Sequence, residues 1–288
     1  MNTRLLLLLV LSFLISCNST PVNQTVTAEE IISQDKDKEI LEQIFELYSE
    51  EKEATTSALM VKVGRFFLET PYVAHTLETE DEQLLINLRE MDCTTFAENC
   101  LAISRTIQSG NHTFDQFSSE LRTVRYRDGK IDAYPSRLHY FCDWIYNNQQ
   151  KGLIKDMSED IAQTSFQKEI NFMSTHPESY RQLKENAPLV EILAGQEKLI
   201  SARKMLFIPT SKIAEVESEL MEGDIVGITT EIDGIAIMHV GILVRQEGRI
   251  HLMHASSKAE KVVISENTLE DYLVNRKSAS GIMLARPL

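Results

Sequence analysis

One cysteine in this chain lies where a helix start would activate a thiol. Cys93 follows Asp92 in the stretch MDCTTFAENC (91–100). From Phe96 onward, apolar and small residues recur at helical spacing. Asp92 is a suitable N-cap, so Cys93 is predicted at the first helical position. There the unpaired amides and the positive end of the helix dipole stabilise a thiolate. An isolated Asp-Cys pair is more often part of a buried helix, so a nucleophile needs support from a base.

His239 is the best candidate for that base. It is the imidazole in the otherwise apolar stretch IAIMHVGILV (235–244), which is predicted to be a strand. Gly241 shares its face and is expected to leave open space beside the ring. On the next predicted strand His254 falls where a hairpin would bring it near His239, whereas His251 falls on the opposite face. The two histidines are therefore either a hydrogen-bonded core pair or a base with its orienting partner.

A zinc site is a competing interpretation of these histidines. His251 and His254 have ligand-like spacing, and His239 could complete the set. Side chains at i and i+3 of a strand point to opposite faces, so the two cannot easily share one ion. We therefore predict no metal site.

The elements that must position these residues change type along the chain. Helical periodicity covers 40–48, 59–68, 93–107 and 113–124, and most of 178–202, whereas 137–148 is ambiguous between helix and strand. Short runs rich in Ile and Val follow at 224–230, 235–244, 249–256, 261–265 and 280–288. Their short turns predict a mainly antiparallel sheet. Helices followed by strands indicate one α+β domain, at 37–288.

Composition excludes some classes of function and leaves others open. The 288 residues carry a net charge of -14, and nucleic acid binding needs a basic face instead. Four cysteines are present: Cys17, Cys93, Cys100 and Cys142. They are not expected to form a disulfide framework. Cys100 and Cys142 are expected to be buried small residues, and could pair only if the fold brought them together.

The N-terminus has the features of a secretory signal. Arg4 precedes an apolar run that ends in LISC (14–17), which resembles the bacterial lipoprotein box. The resemblance implies a signal peptide at 1–16 and a lipid on Cys17. The polar residues that follow predict a flexible tether at 17–36.

Several motifs together resemble one family of hydrolases. Asp92–Cys93, GDIVGI (223–228), HVGILV (239–244) and LMHASS (252–257) are similar to the NlpC-type papain-like cysteine hydrolases. TPYVAHTLE (70–78), MDCTTFAEN (91–99) and RYRDGKIDAYPSRLHYFCDWI (125–145) resemble its N-acetylmuramoyl-L-alanine amidase-like branch. The broader family usually has Ser-Gly after Asp-Cys. Here Thr94 and Thr95 replace them, which favours the amidase-like branch.

The resemblance implies a fold and roles for particular residues. The fold would be α+β, a papain-like core with the nucleophile on a helix N-terminus packed on a mainly antiparallel sheet, plus extra helices. Cys93 would be the nucleophile, His239 the base and later acid, and His254 the orienting residue. Tyr72 would lie near the oxyanion site. The other candidate substrate-binding residues are Asp92, Arg137, His139 and Tyr140. A structural aromatic cluster is the alternative for the last three.

The implied activity is cleavage of the amide between N-acetylmuramic acid and L-alanine, through a cysteine thioester and without a cofactor. The partners would be peptidoglycan or muropeptide fragments, and a membrane through the lipid anchor. The location would be the bacterial envelope, facing the periplasm. One alternative is an endopeptidase that cuts between D-glutamate and the diamino acid of the stem peptide. Another is a non-catalytic lipoprotein that binds peptidoglycan. The oligomeric state and the choice between polymer and fragment stay open.

Overall fold

The structure is a computed structural model that describes residues 31–161 and 164–288. These residues form a mixed α+β fold. Its helices are α1 Asp35–Tyr48, α2 Thr56–Phe66, α3 Cys93–Ser109, α4 Phe114–Arg125, α5 Phe141–Gln150, α6 Ser158–Ile161, α7 Phe172–Thr175, α8 Ala187–Ser201, α9 Ile213–Val216 and α10 Leu269–Val274. Its strands are β1 Ile31–Ile32, β2 Leu84–Leu85, β3 Ile154–Asp156, β4 Thr164–Phe166, β5 Met205–Pro209, β6 Ile225–Thr230, β7 Ile237–Gln246, β8 Arg249–Ser256, β9 Lys261–Thr268 and β10 Ala279–Pro287.

Polar side chains start several of the longer helices. Thr55 accepts a hydrogen bond from the Ala58 amide at the start of α2, and Thr113 caps α4 in the same way. Such caps satisfy amides that have no partner inside the helix. At the other end of α3, Gly110 adopts φ 71°. This left-handed conformation suits glycine and ends the helix.

The main sheet is antiparallel in all the strand pairings described. Its order is β4-β5-β10-β6-β7-β8-β9, and β3 also pairs with β10. The prediction of a mainly antiparallel sheet is therefore confirmed. Two residues, Glu247 and Gly248, join β7 to β8 with φ of 50° and 83°. Two positive φ angles match the twist of a tight hairpin, which fixes the register of the histidine-bearing strands.

Each face of this sheet buries a separate apolar core. On one face, α2 and α3 pack with β7 and β8 through residues such as Phe96, Ile242 and Met253. Gly64 of α2 lets the Met253 side chain lie against the helix, since an added Cβ would be 2.3 Å from its methyl carbon. On the other face, Leu252 and its neighbours pack under α10. The sheet thus holds α3 on one face and α10 on the other.

The structure refines several predicted elements. The ambiguous segment 137–148 is helical from residue 141 onward, in α5, and 187–201 is the α-helix of the mostly helical stretch 178–202. Strands β3, β4 and β5 were not predicted, because they are short and lack clear alternation. Strand β1 and the start of α1 lie at the end of the segment predicted as a tether, 17–36.

The predicted signal peptide (1–16) and Cys17 lie outside the described residues. Within 31–161 and 164–288, no helix combines the length and the apolar character that a membrane span requires.

Candidate functional site

Cys93 is the first residue of α3, as predicted, and Asp92 caps the helix. The Asp92 carboxylate accepts hydrogen bonds from the amides of Thr94 (3.0 Å) and Thr95 (2.8 Å). Thr95 Oγ1 in turn accepts from the Asp92 amide at 2.9 Å. This reciprocal cap gives Thr95 a structural role that glycine could not fill. The thiol therefore extends from a well-anchored helix start.

His239 on β7 and His254 on β8 are hydrogen-bonded to each other. His239 Nε2 lies 2.7 Å from His254 Nδ1, and the two rings are nearly perpendicular at 88°. This contact occupies Nε2 and leaves Nδ1 as the His239 nitrogen that can accept a proton. For Nδ1 to act as a base, Nε2 must carry the hydrogen and donate to His254.

The strand around His239 departs from strict alternation. The pairing between β6 and β7 shifts register between Ile228 and Thr229. Strict alternation would place Ile237 on the same face as His239. Instead Ile237 packs with the core under α3, and Met238 packs with the opposite core. Such a bulge re-aims side chains at a strand end.

The predicted open space beside Gly241 is not there. A Cβ on this glycine would be only 2.5 Å from the Leu252 side chain, which already covers the position. Gly241 is needed for this close packing between β7 and β8, and not for access to His239.

His251 and His254 have different partners, in agreement with their predicted opposite faces. His251 Nδ1 lies 3.0 Å from the Ser265 carbonyl oxygen, whereas His254 contacts His239. In the part of the chain that the structure describes, no three His, Cys, Asp or Glu side chains are grouped to hold a metal ion.

A cavity of about 680 Å³ opens in front of the thiol. It is lined by Cys93 and His239, and also by all five residues predicted to contact substrate: Tyr72, Asp92, Arg137, His139 and Tyr140. His254 touches His239 from behind and is not part of the lining. Residues far apart in the sequence thus meet around one concave surface, the usual form of a small-molecule site.

Burial keeps the reactive groups neutral in the unliganded protein. It raises the pKa of Cys93 to about 12, with a further contribution from the Asp92 carboxylate. Burial and the Arg276 charge lower the pKa of His239 to about 4. Burial, the neighbouring His239 and the Arg276 charge lower the pKa of His254 to about 3. Since Cys93 is only half-buried, cavity water reduces its penalty. Burial therefore favours a neutral thiol and a neutral imidazole over an ion pair in the resting site.

Three of the predicted substrate contacts also hold the cavity wall together. Arg137 Nη2 lies 3.0 Å from Glu78, and its Nε lies 3.3 Å from Glu82. His139 Nε2 lies 2.8 Å from the Tyr134 carbonyl oxygen. These polar groups of Arg137 and His139 therefore already have partners within the protein.

Tyr140 is engaged in the same way. Its hydroxyl donates to Glu197 at 2.5 Å and accepts from the Met173 amide at 2.9 Å. It thereby joins the start of α5 to α7 and α8. Tyr140 also lines the cavity and can contact a ligand there.

The cavity wall also contains an ion pair that was not predicted from the sequence. Arg125 Nε and Glu98 Oε2 are 2.7 Å apart, and each side chain is only 2% exposed. Burial raises the pKa of Glu98, and the Arg125 charge opposes that rise. The available signal was an acidic residue inside α3, a helix buried on nearly all sides. A carboxylate in that setting needs a partner.

Two further thiols lie in the described part of the chain. Cys100 and Cys142 are buried, whereas Cys93 is half-buried. None of the three forms a disulfide. This confirms the expectation of buried small residues, and no disulfide joins the two.

Comparisons with known proteins identify the family of this chain. The family AmiA-like, described as N-acetylmuramoyl-L-alanine amidase-like, matches residues 62–282. A crystal structure named N-acetylmuramoyl-L-alanine amidase, from Bacteroides uniformis ATCC 8492, is 36% identical with a TM-score of 0.78. The alignment covers 81% of this chain and 98% of that one. No curated protein matches the chain.

Two further solved structures are similar. One, from Bacteroides fragilis, is named as a candidate xylanase and is 39% identical with a TM-score of 0.73. It covers 78% of this chain and 99% of its own. The other, a Legionella pneumophila protein of the family DUF1460, is 20% identical with a TM-score of 0.66. It covers 88% of this chain and 95% of its own, and shows the fold alone. Because the family match spans most of the sequence and includes the whole cavity lining, the chain belongs to the N-acetylmuramoyl-L-alanine amidase-like family.

Proposed function

We propose that this protein is a cysteine amidase with a papain-like, NlpC-type core, which cleaves the amide between N-acetylmuramic acid and L-alanine. The observation that carries the proposal is the constellation of Cys93, His239 and His254. The thiol and the base line one cavity, and the base is held by a 2.7 Å hydrogen bond from behind. A nucleophile, a base and an orienting group in this relation are the elements of covalent acyl transfer.

The first half of the reaction forms a thioester. Cys93 Sγ attacks the lactyl carbonyl carbon while its proton passes to Nδ1 of His239. Because both groups are neutral at rest, the proton moves during the attack and His239 acts as a general base. His239 then donates that proton to the nitrogen of L-alanine, the C–N bond breaks, and the peptide leaves as an amine.

The oxyanion would lie near the start of α3. Asp92 already occupies the amides of Thr94 and Thr95, which leaves the Cys93 amide as the donor at the helix start. Burial, together with the Cys93 and Asp92 charges, raises the pKa of Tyr72. Its hydroxyl therefore stays protonated and can donate to the oxyanion.

Water completes the cycle. His239, neutral again, removes a proton from a water molecule that attacks the thioester carbonyl. The C–S bond breaks, the muramic acid carboxyl group is released, and Cys93 recovers its proton from His239. These steps need no metal or organic cofactor, so we expect activity to survive a chelator such as EDTA.

Mass spectrometry of defined muropeptides tests the proposal. An amidase frees the intact stem peptide from the sugar, whereas an endopeptidase leaves L-Ala–D-Glu attached to it. A non-catalytic binding protein would give neither product. Products other than the free stem peptide would contradict the proposed bond.

The xylanase name of the Bacteroides fragilis structure is not carried over. Glycoside hydrolysis usually needs two available carboxyl groups across the scissile bond. The acidic side chains that line this cavity are already engaged: Glu78 with Arg137, Glu98 with Arg125, and Asp92 with the start of α3.

We also propose that Cys17 carries a lipid that anchors the protein in the bacterial envelope, facing the periplasm. The support is the lipobox-like LISC (14–17) and the location of peptidoglycan. Replacing Cys17 by alanine should release the protein from the membrane fraction of its host. A Cys17→Ala form that stayed with the membrane would contradict the anchor.

A further inference from the structure

Three guanidinium groups line the cavity, and two of them are neutralised by acidic partners. Arg125 pairs with Glu98 at 2.7 Å, and Arg137 pairs with Glu78 at 3.0 Å. Arg181 lines the same cavity. Across 31–161 and 164–288, no carboxylate or other hydrogen-bond partner engages the Arg181 side chain. It is therefore a positive charge that the protein itself leaves unused.

The backbone around Arg181 is held in place although its side chain is free. Tyr180, just before it, packs against a small apolar cluster that includes Leu183, which is 1% exposed. Gln182, just after it, donates to the Thr79 carbonyl oxygen at 2.8 Å. A fixed backbone that carries an unpaired guanidinium toward a cavity is preorganised for a ligand.

The charge balance of the cavity points to an anionic ligand. The lining carboxylates of Glu78 and Glu98 are paired, and that of Asp92 caps α3. Arg181 thus adds an uncompensated positive charge in a protein whose net charge is -14. Guanidinium binds a carboxylate through two parallel hydrogen bonds, more specifically than an ammonium group can.

We propose that Arg181 binds a carboxylate on the peptide part of the substrate and so sets the direction in which the substrate lies. This inference rests on the proposed amidase function. In N-acetylmuramoyl-L-alanine compounds the lactyl carboxyl group is consumed in the amide, so the sugar side has no charge there. Free carboxylates occur on the peptide side, beginning with D-glutamate. The peptide therefore extends from Cys93 toward Arg181, and the sugar extends the other way.

Two synthetic substrates test this assignment. The first is MurNAc–L-Ala–D-Glu with both carboxyl groups free, and the second has both as carboxamides. We expect the wild-type protein to have a kcat/KM about 10- to 100-fold higher for the free acid. Arg181→Met should remove that preference by slowing the free acid alone, and Arg181→Lys should restore part of it. Singly amidated compounds would then identify which carboxyl group is bound.

Lys184 provides a matched control. It is an exposed cation three residues further along and does not line the cavity. Lys184→Met should keep the full preference, which separates a local contact from a general loss of positive charge. Added salt should weaken the preference of the wild type, because the pair is solvent-accessible.

Other outcomes would overturn the assignment. Equal losses for both substrates in Arg181→Met would indicate a structural role, and no loss for either would remove the carboxylate contact. If the wild type cleaves neither compound, the amidase proposal fails separately. Calorimetric binding of both compounds to Cys93→Ala, with and without Arg181→Met, then decides the subsite. Equal affinity for acid and diamide in that assay would contradict it.

Discussion

The two sides of the cavity are built in different ways. The proposed catalytic corner, consisting of Cys93, His239 and His254, lies on a helix start and on two neighbouring strands. The proposed substrate wall consists of residues 134–140 and 172–181, which form short helices and turns, and of the Glu98–Arg125 pair, which lines the same cavity. Side-chain contacts over long sequence distances hold the wall, such as Arg137 with Glu78 and Tyr140 with Glu197.

This difference has consequences for mutation. Regular backbone hydrogen bonds position the catalytic corner, so removing a reactive side chain leaves the scaffold intact. In the substrate wall the side chains are themselves the scaffold. Changes in the catalytic corner should therefore remove chemistry at constant stability, whereas changes in the buried contacts of the wall should lower stability as well.

The largest effect is expected for Cys93. Cys93→Ala should lower cleavage of the MurNAc–L-Ala amide by at least ~10⁴-fold, because no other nucleophile replaces the thiol. The fold should survive, since Asp92 still caps α3. His239→Ala should be nearly as severe, and the double variant should be little worse than either. Product release followed by mass spectrometry, with thermal unfolding as the control, measures both. Full activity in Cys93→Ala would refute cysteine catalysis.

A smaller loss is expected at His254. His254→Ala should reduce kcat by roughly 10- to 10⁴-fold, since it removes the partner of His239 Nε2 and leaves the nucleophile in place. His254→Gln keeps a hydrogen-bonding side chain and should recover part of the rate. His251→Ala is the control, because its contact is to the Ser265 carbonyl oxygen. An essential His251 with a dispensable His254 would mean that the triad has been misassigned.

Local signals made the catalytic corner predictable, and their absence hid the substrate wall. Asp92 before Cys93 marked a helix start, and alternation with a short turn placed His254 beside His239. The bulge that moves Ile237 and Met238 depends on the pairing with β6 and leaves no pattern in β7 alone.

The substrate wall depends on pairings between residues that are distant in the sequence. Glu98 and Arg125 come from different helices, and Glu78 reaches Arg137 across 59 positions. Either residue of such a pair looks like an ordinary surface charge until the fold buries it. Motif resemblance identified Arg137 as a candidate substrate contact. It could not separate the structural contacts of Arg137 from substrate binding.

Breaking the buried pair tests the role of the substrate wall in stability. Arg125→Met would leave Glu98 buried without its partner and should lower the free energy of unfolding by about 3–5 kcal/mol. Adding Glu98→Met should recover much of that loss. The exposed Lys36–Glu39 pair is the control, and Lys36→Met should change stability by less than about 1 kcal/mol. Chemical denaturation gives all three values. Equal effects for the buried and the exposed pair would contradict the contrast drawn between the two sides.

The smallest effect concerns the environment of the base. His239 must be neutral to accept the thiol proton, so kcat/KM should rise with pH through the His239 pKa of about 4 and be complete well below pH 6.5. Burial is the main cause of the low pKa, and the Arg276 charge is the second. Arg276 lies 4.2 Å from the ring centre of Tyr272, whose ring is 5.5 Å from that of His254.

Arg276→Met removes this positive charge. Its removal stabilises the imidazolium form of His239 and raises the pKa of His239. The acid limb of the pH profile should therefore move to higher pH, by a fraction of a unit because burial remains, while the rate at pH 7.5 stays the same. Arg276→Lys keeps the charge and should leave the limb in place. The pH dependence of kcat/KM for the three proteins decides the matter. An acid limb near pH 6.5 in the wild type would show that burial does not lower the pKa of His239. A shift of the limb to lower pH in Arg276→Met would contradict the proposed effect of the Arg276 charge on that pKa.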